Sequence, residues 1–509
     1  MSPKKGSSKS TKKTKKSAGQ TIKPLKGISD IRRFFYKNDV PIYFISATNF
    51  NLLGADEWVK GFKVITYIEC FDGLHSNVFS PAEELPHEEF QSIEDINNYL
   101  LQHKEVEAFI SKHKKGKNGG KALFLMFDEE TERLAKKLGL ELIFPSAELR
   151  TFLDNKVNTN RIAEKAGVPC VSYVLSNVKD YRHLRSVSKN LGEQLVIQTP
   201  FGDSGHTTFF ISNEKEYNKY AEEIEREKEV KIMKRINCRG SAIEACVTRH
   251  GTVVAPLMTE LVGFKELTPY KGGWCGNEIF PEAFTPEIRE KATKYTRQFG
   301  DQLAKEGYKG YFELDFLIDQ EDNNIYLGEL NPRITGASSI TNHAVFALAD
   351  VPLYILHILE WMNQDYELDV DTINRRWADP ENIDSWSQLV IKYTEDNIEY
   401  VTEAPRSGIW RLQEDGSILF DRMDTHRRYV ELDEEAFFLR ITRKGDYLYE
   451  GADMGILVMR GRLMTDNFKL TKRAKTWIHA IRSSYKSIPA VQPEEIESRL
   501  EEAGGFKVL

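Results

Sequence analysis

The stretch GYFELDFLIDQEDNNIYLGELNPRITG, residues 310–336, constrains this chain more than any other. Gly310–Ile318 and Ile325–Asn331 are apolar, β-branched and aromatic runs of strand length, with turn-forming residues between them. Side chains alternate faces along a strand. Glu313 and Asp315 therefore share one face, and Leu314, Phe316 and Ile318 the other. On the second strand Glu329 and Asn331 share a face, with Gly328 and Leu330 opposite. A five-residue loop at Gln320–Asn324 pairs Asp319 with Ile325, hence Asp315 with Glu329 and Glu313 with Asn331. Three carboxylates and an amide then converge beside an apolar face. Unpaired, they repel one another and resist burial. A divalent cation removes that cost, and hard oxygen donors suit Mg²⁺ shared with phosphate oxygens. The carboxylates taken alone leave a solvated acidic strand face open as the alternative.

The rest of the chain supplies the setting. Its 509 residues exceed one ordinary core, so several domains are expected. Pro41–Ala47, Phe62–Ile68, Lys121–Phe127 and Leu140–Phe144 read as strands alternating with helical sequence, the pattern of a parallel α/β sheet. Ser146 to Gly167 reads as one helix stopped by AGVP. Strands follow at Leu195–Thr199, Thr207–Ile211, Val230–Ile236, Ile243–Thr248 and Val253–Leu257, then a long helix over Pro286–Gly307. Beyond Met362 the pattern turns polar and then mainly β. The expected organisation is a Lys-rich disordered tail over 1–27, an α/β domain over 28–145, a central α+β domain over 146–365 and a β-rich domain over 366–509.

Composition narrows the function classes. Residues 1–20 carry seven lysines and no acid, which takes the net charge of −7 to −14 for the remainder. An acidic body without a basic groove argues against nucleic acid as a partner. No apolar run approaches the ~20 residues of a membrane helix, and no apolar segment follows the N-terminal lysines, so neither a membrane nor a secreted location is expected. Five scattered cysteines without a CxxC pair suit a reducing cytoplasm.

With these motifs in place, the hairpin resembles the nucleotide–metal hairpin of ATP-grasp enzymes, where an acid on one strand and E-x-N on the next hold a pair of Mg²⁺ ions. Asp315, Glu329 and Asn331 fill those places, and Arg333 stands where an arginine of biotin-carboxylase-like members assists acyl-phosphate chemistry. LDNKVNTNRIAEKAGVP, residues 153–169, is similar to the segment whose lysine contacts ATP phosphate, which implies that role for Lys156. LVIQTPFGDSGHTTFFI, residues 195–211, resembles the strand–glycine loop–strand over the phosphates, with Gly202, Ser204 and Gly205 as anion contacts. By itself that loop is an ordinary hairpin, and Lys156 an ordinary surface lysine. Two departures stand out. Gln198 occupies the place of a phosphate-binding lysine, and Lys234 or Arg235 replaces an acid on the adenine-side strand; either cation is a candidate for the charge missing at Gln198.

The resemblance implies a Rossmann-like front domain, an ATP-grasp domain and a β-rich C-terminal domain. It implies ATP and Mg²⁺ as cofactors, with Mn²⁺ as a substitute, and admits a homodimer. The implied reaction joins a small-molecule carboxylic acid to an amine through an acyl phosphate, releasing ADP and phosphate. The alternatives are carboxylation with bicarbonate and a biotin carried by a partner, since no M-K-M attachment site is present, or a non-catalytic ATP-binding module. Asn277 and Glu278 of GGWCGNEIF, and Asn342 with His343, are the substrate-side candidates; capping and packing are the plain alternatives for the latter pair.

Overall fold

The computed structural model describes residues 23–82, 85–86, 89–114, 119–202, 207–342, 344–425 and 427–502. Most of the lysine-rich tail, Ser204, Gly205 and His343 lie outside these. Leu25 and Lys26 pair in parallel with Tyr366 and Glu367, so the chain meets the fold just before the helix Ile28–Tyr36.

The front unit is a five-stranded parallel sheet. Its order is Val78–Phe79, Phe62–Thr66, Ile42–Ser46, Gly120–Phe124 and Leu140–Leu142. Ile42–Ser46 and Gly120–Phe124 are buried throughout, as parallel strands covered on both faces must be. Two helices not read from the sequence, Ile93–Gln102 and Lys104–His113, help cover it.

The segment expected as one helix over 146–167 is two, Ala147–Asp154 and Lys156–Ala166. Asn155 breaks it: the residue is extended, and its Oδ1 accepts the backbone N–H groups of Val157 and Asn158 at 3.0 and 3.2 Å. That is an N-cap, and it sets Lys156 in the first turn of the second helix. Gly167 closes that helix in the left-handed region at φ 69°.

Besides a three-stranded antiparallel sheet of Tyr447–Leu448, Glu399–Glu403 and Lys486–Pro489, two larger antiparallel sheets complete the molecule. The smaller has the order Tyr173–Ser176, Val230–Lys234, Leu195–Gln198, Thr208–Ile211. The larger runs from Ile325–Asn331 through Gly310–Asp319, Cys238–Thr248, Met258–Val262 and Trp274–Ile279. It then continues without a break, Trp274–Ile279 pairing with Trp386–Lys392. The β-rich C-terminal part is thus joined to the central part by a shared sheet. Gly276, at φ 142°, lies where an added Cβ would stand 2.0 Å from the Gln388 carbonyl oxygen, so only glycine fits this junction.

Candidate active site

The hairpin 310–331 delivers the expected pairs by an unexpected route. Asp315 faces Glu329 and Glu313 faces Asn331, but nearer the turn Ile318 pairs with Ile325, one residue out of the expected register. Gly328 is the extra residue of a bulge that restores the register before Glu329. The bulge also reverses parity. Leu327 pairs with Phe316 on the core face and is 2% exposed, although simple alternation would set it beside Glu329.

These residues line one wall of a cavity of about 430 Å³. Asn331 Nδ2 donates to Glu313 Oε1 and Asp315 Oδ2, both at 3.2 Å. Asp315 Oδ1 is buried and has no hydrogen-bond partner among the described residues. Lys156 Nζ lies 3.4 Å from Glu329 Oε1 and donates to the Gly202 carbonyl at 2.7 Å. Behind them, the Thr335 hydroxyl sits 2.7 Å from Glu313 Oε2 and 3.0 Å from Glu244 Oε1, and Ser338 donates to the same Glu244 oxygen at 2.7 Å.

The electrostatics are those of a carboxylate cluster short of positive charge. Burial, and then Glu244, push Glu313 up to about 8. Burial followed by Glu329 raises Glu260 to about 7. Asp315 is raised by burial and then by Glu260, Glu313 and Glu329. Arg333 lowers Glu313 and Asp315 and also Glu94 on the opposite wall. Its buried Nε has no partner among the described residues, so the guanidinium is left free toward the cavity.

These residues fit a divalent cation: the orphaned Asp315 oxygen, Glu329 and Asn331 are hard oxygen donors beside excess negative charge. Among the described residues no three acids enclose an ion unaided, so a ligand's own oxygens would complete its shell. Mg²⁺ habitually keeps such outside ligands.

The remaining sequence candidates separate. Asn277 lines the cavity, its Oδ1 accepting from Trp274 Nε1 at 3.1 Å and its Nδ2 unpartnered among the described residues. Glu278 points the other way. Its Oε1 accepts the backbone N–H groups of Leu463 and of Met464, the latter at 2.7 Å, and the Ser387 hydroxyl at 3.3 Å. Asn342 is consumed by the Tyr311 hydroxyl, the Ser338 carbonyl and the Tyr354 N–H. Lys234 and Arg235 are exposed, Arg235 over the Phe210 ring. Gln198 is buried and donates to Thr208 Oγ1 at 3.2 Å. The cavity includes residues the sequence did not flag: Glu260, and Asn51, Ser92 and Glu94 from the front unit. A glutamate at the middle of the apolar strand Met258–Val262 was the available signal for Glu260.

This architecture is the ATP-grasp fold, mixed α/β with a β-rich part. No protein-family model matches the sequence. The chain is similar to a D-alanine–D-alanine ligase of Carboxydothermus hydrogenoformans, 24% identical over 194 residues, covering 36% of this chain and 61% of that enzyme. It is similar also to the D-alanine–D-alanine ligase of Clostridium novyi, 24% identical over 257 residues, covering 49% of this chain and 72% of the relative. Among solved structures, the Campylobacter jejuni biotin carboxylase in complex with a β,γ-ATP ligand superposes with a TM-score of 0.58 at 13% identity, over 91% of this chain and 95% of that one. The chain therefore spans about three-fifths of the first ligase but nearly all of the carboxylase fold. No described helix is long and apolar enough to cross a membrane.

Proposed function

We propose that the protein is an ATP-dependent ligase that joins a carboxylic acid to an amine and releases ADP and phosphate. The observation that carries this reading is the convergence of Asp315, Glu329 and Asn331 at one cavity into which Arg333 is left free, with Lys156 Nζ 3.4 Å from Glu329. Asp315, Glu329 and Asn331 would hold Mg²⁺, which would neutralise the negative charge of the nucleotide phosphates. Lys156 and the Gly202 backbone position the phosphates. A substrate carboxylate oxygen attacks the γ-phosphorus and its bond to ADP breaks. The amine then attacks the acyl carbon, and phosphate leaves with the oxygen that made the attack. Arg333 holds the acyl-phosphate oxygens through its planar fork. Glu94 and Glu260 offer acceptors for an ammonium group at the cavity walls.

The same chemistry with bicarbonate as the acid is a second reading, favoured by the C-terminal sheet that continues the central one and by the likeness to a whole biotin carboxylase. The test is ADP release by purified protein with Mg²⁺–ATP, against pairs of amino acids and against bicarbonate with free biotin. Release that needs an acid and an amine together supports the ligase. Release that needs bicarbonate and biotin selects the second reading, and ATP binding without ADP release in any combination leaves a non-catalytic module.

A further inference from the structure

A second buried lysine packs against the same hairpin, its Nζ on the Gly328 carbonyl beside Glu329. Lys231, 1% exposed, stands at the centre of the smaller antiparallel sheet, directly across from Gln198. Two residues along, Met233 faces Val196 in the next cross-strand pair. The opposite face of that sheet is core, built from Ile197, Val230, Ile232 and Phe209. The face carrying Lys231 turns instead toward the metal hairpin, where Val171, Val196 and Met233 pack with Leu317 and Tyr326.

A buried ammonium requires compensation. Lys231 Nζ donates to the Gly328 carbonyl at a long 3.3 Å, and no carboxylate lies within salt-bridge distance of it among the described residues. Burial pulls it below its ordinary value; Cys170 and Glu329 oppose that and Lys156 adds to it. Lys156 already shares Glu329 at 3.4 Å. Two buried lysines thus meet the strand at Gly328–Glu329, whose carboxylate a metal would also claim. The missing partner is an anion. Its neighbour is apolar: strand rise puts Met233 about 7 Å from Lys231 along one face. A polyphosphate reaching both Lys156 and Lys231 would supply that anion.

We propose that Lys231 is a phosphate-binding residue of the nucleotide site, supplying from the neighbouring strand the cation that Gln198 does not. This rests on the reading of the cleft as an ATP site. It replaces Lys234 and Arg235 in that part, because both are exposed on the strand's far end.

The experiment is calorimetric titration of Mg²⁺–ATP, Mg²⁺–ADP and adenosine into wild type, Lys231→Gln and the double variant Lys231→Gln/Gln198→Lys. Loss of a charge-assisted contact predicts Mg²⁺–ATP affinity lower by roughly tenfold to a hundredfold in Lys231→Gln, with adenosine binding unchanged. The double variant moves the cation one strand across, and its Mg²⁺–ATP affinity should return to within about threefold of wild type. It is measured in its own right, so a poorly folding single variant does not remove the test. Unchanged ATP affinity in Lys231→Gln, an equal loss of adenosine, or no phosphate-dependent affinity in the double variant overturns the assignment. Wild type that binds no ATP overturns the reading of the cleft as well.

Discussion

Asp315 and Glu329 stand opposite one another across two antiparallel strands because Gly328 is bulged between Leu327 and Glu329. An added Cβ at Gly328 would lie 3.1 Å from the Asp315 carbonyl oxygen and 3.3 Å from Leu317. Gly328→Val should therefore displace Glu329 with a stability loss of about 1–3 kcal/mol, the scale of overpacking. Mg²⁺-dependent nucleotide binding should fall while Mg²⁺-independent adenosine binding persists. Calorimetry with and without Mg²⁺ checks this, and equal loss of both would mean that the bulge serves the fold alone.

Glu329 and Arg333 should respond differently to substitution. Glu329→Gln keeps shape and removes a charge beside the proposed metal donors and Lys156, so Mg²⁺–ATP binding weakens and turnover collapses. Arg333→Ala should spare nucleotide affinity and lower turnover by about 10²–10³, the scale of losing one preorganised oxyanion donor. Parallel measurement of ATP affinity and ADP release separates the two; a loss of ATP affinity in Arg333→Ala would move Arg333 to the nucleotide.

The carboxylate cluster sets a pH dependence. Glu313 is held up to about 8 and Glu260 up to about 7, both above the ordinary value of 4.5. A raised acid favours its protonated form in the folded state, so folding loses stability as pH climbs from the unfolded value through the folded one. A divalent cation offsets the charges that appear over that range. The rise in melting temperature on adding Mg²⁺ and ADP should be larger at pH 8.5 than at pH 6, and Glu260→Gln should raise the melting temperature of the metal-free protein at pH 8.5. A Mg²⁺ effect independent of pH would contradict this.

Glu278 belongs to the fold. It accepts the backbone N–H groups of Leu463 and Met464 from a buried position next to the sheet junction. Glu278→Ala leaves those donors unmet and should cost about 2–4 kcal/mol in denaturant unfolding. ATP affinity of the folded fraction should not change; a specific loss of turnover at full stability would return Glu278 to the substrate side.

What the sequence made legible was local. Parity along two short strands was enough to pair Glu313 with Asn331 and Asp315 with Glu329, and the proposed metal donors follow from that. The same counting set Asp319 against Ile325, where the structure pairs Ile318, because a bulge has no signature beyond one glycine, and the two errors cancelled at the site. Asn155 was hidden in a continuous helical pattern, although Asn is among the commonest N-caps. Lys231 and Glu260 escaped notice because each sits in a mainly apolar strand, and what they face is decided by strands far along the chain. The pairing of Trp274–Ile279 with Trp386–Lys392, over a hundred residues apart, is likewise set by packing and not by any local propensity. Glu278 and Asn277 are adjacent and point to opposite sides of one strand, so naming both as substrate-facing could be half right at best.

The central claim is that a substrate carboxylate is activated as an acyl phosphate beside Asp315, Glu329 and Arg333. It is tested most directly by an oxygen tracer. Wild-type protein is supplied with Mg²⁺–ATP, amine and a carboxylic acid labelled with ¹⁸O in its carboxyl group, and the released phosphate is examined by mass spectrometry. The attacking oxygen leaves with phosphorus, so one ¹⁸O per phosphate is predicted. Product and ADP formed with unlabelled phosphate would contradict the account.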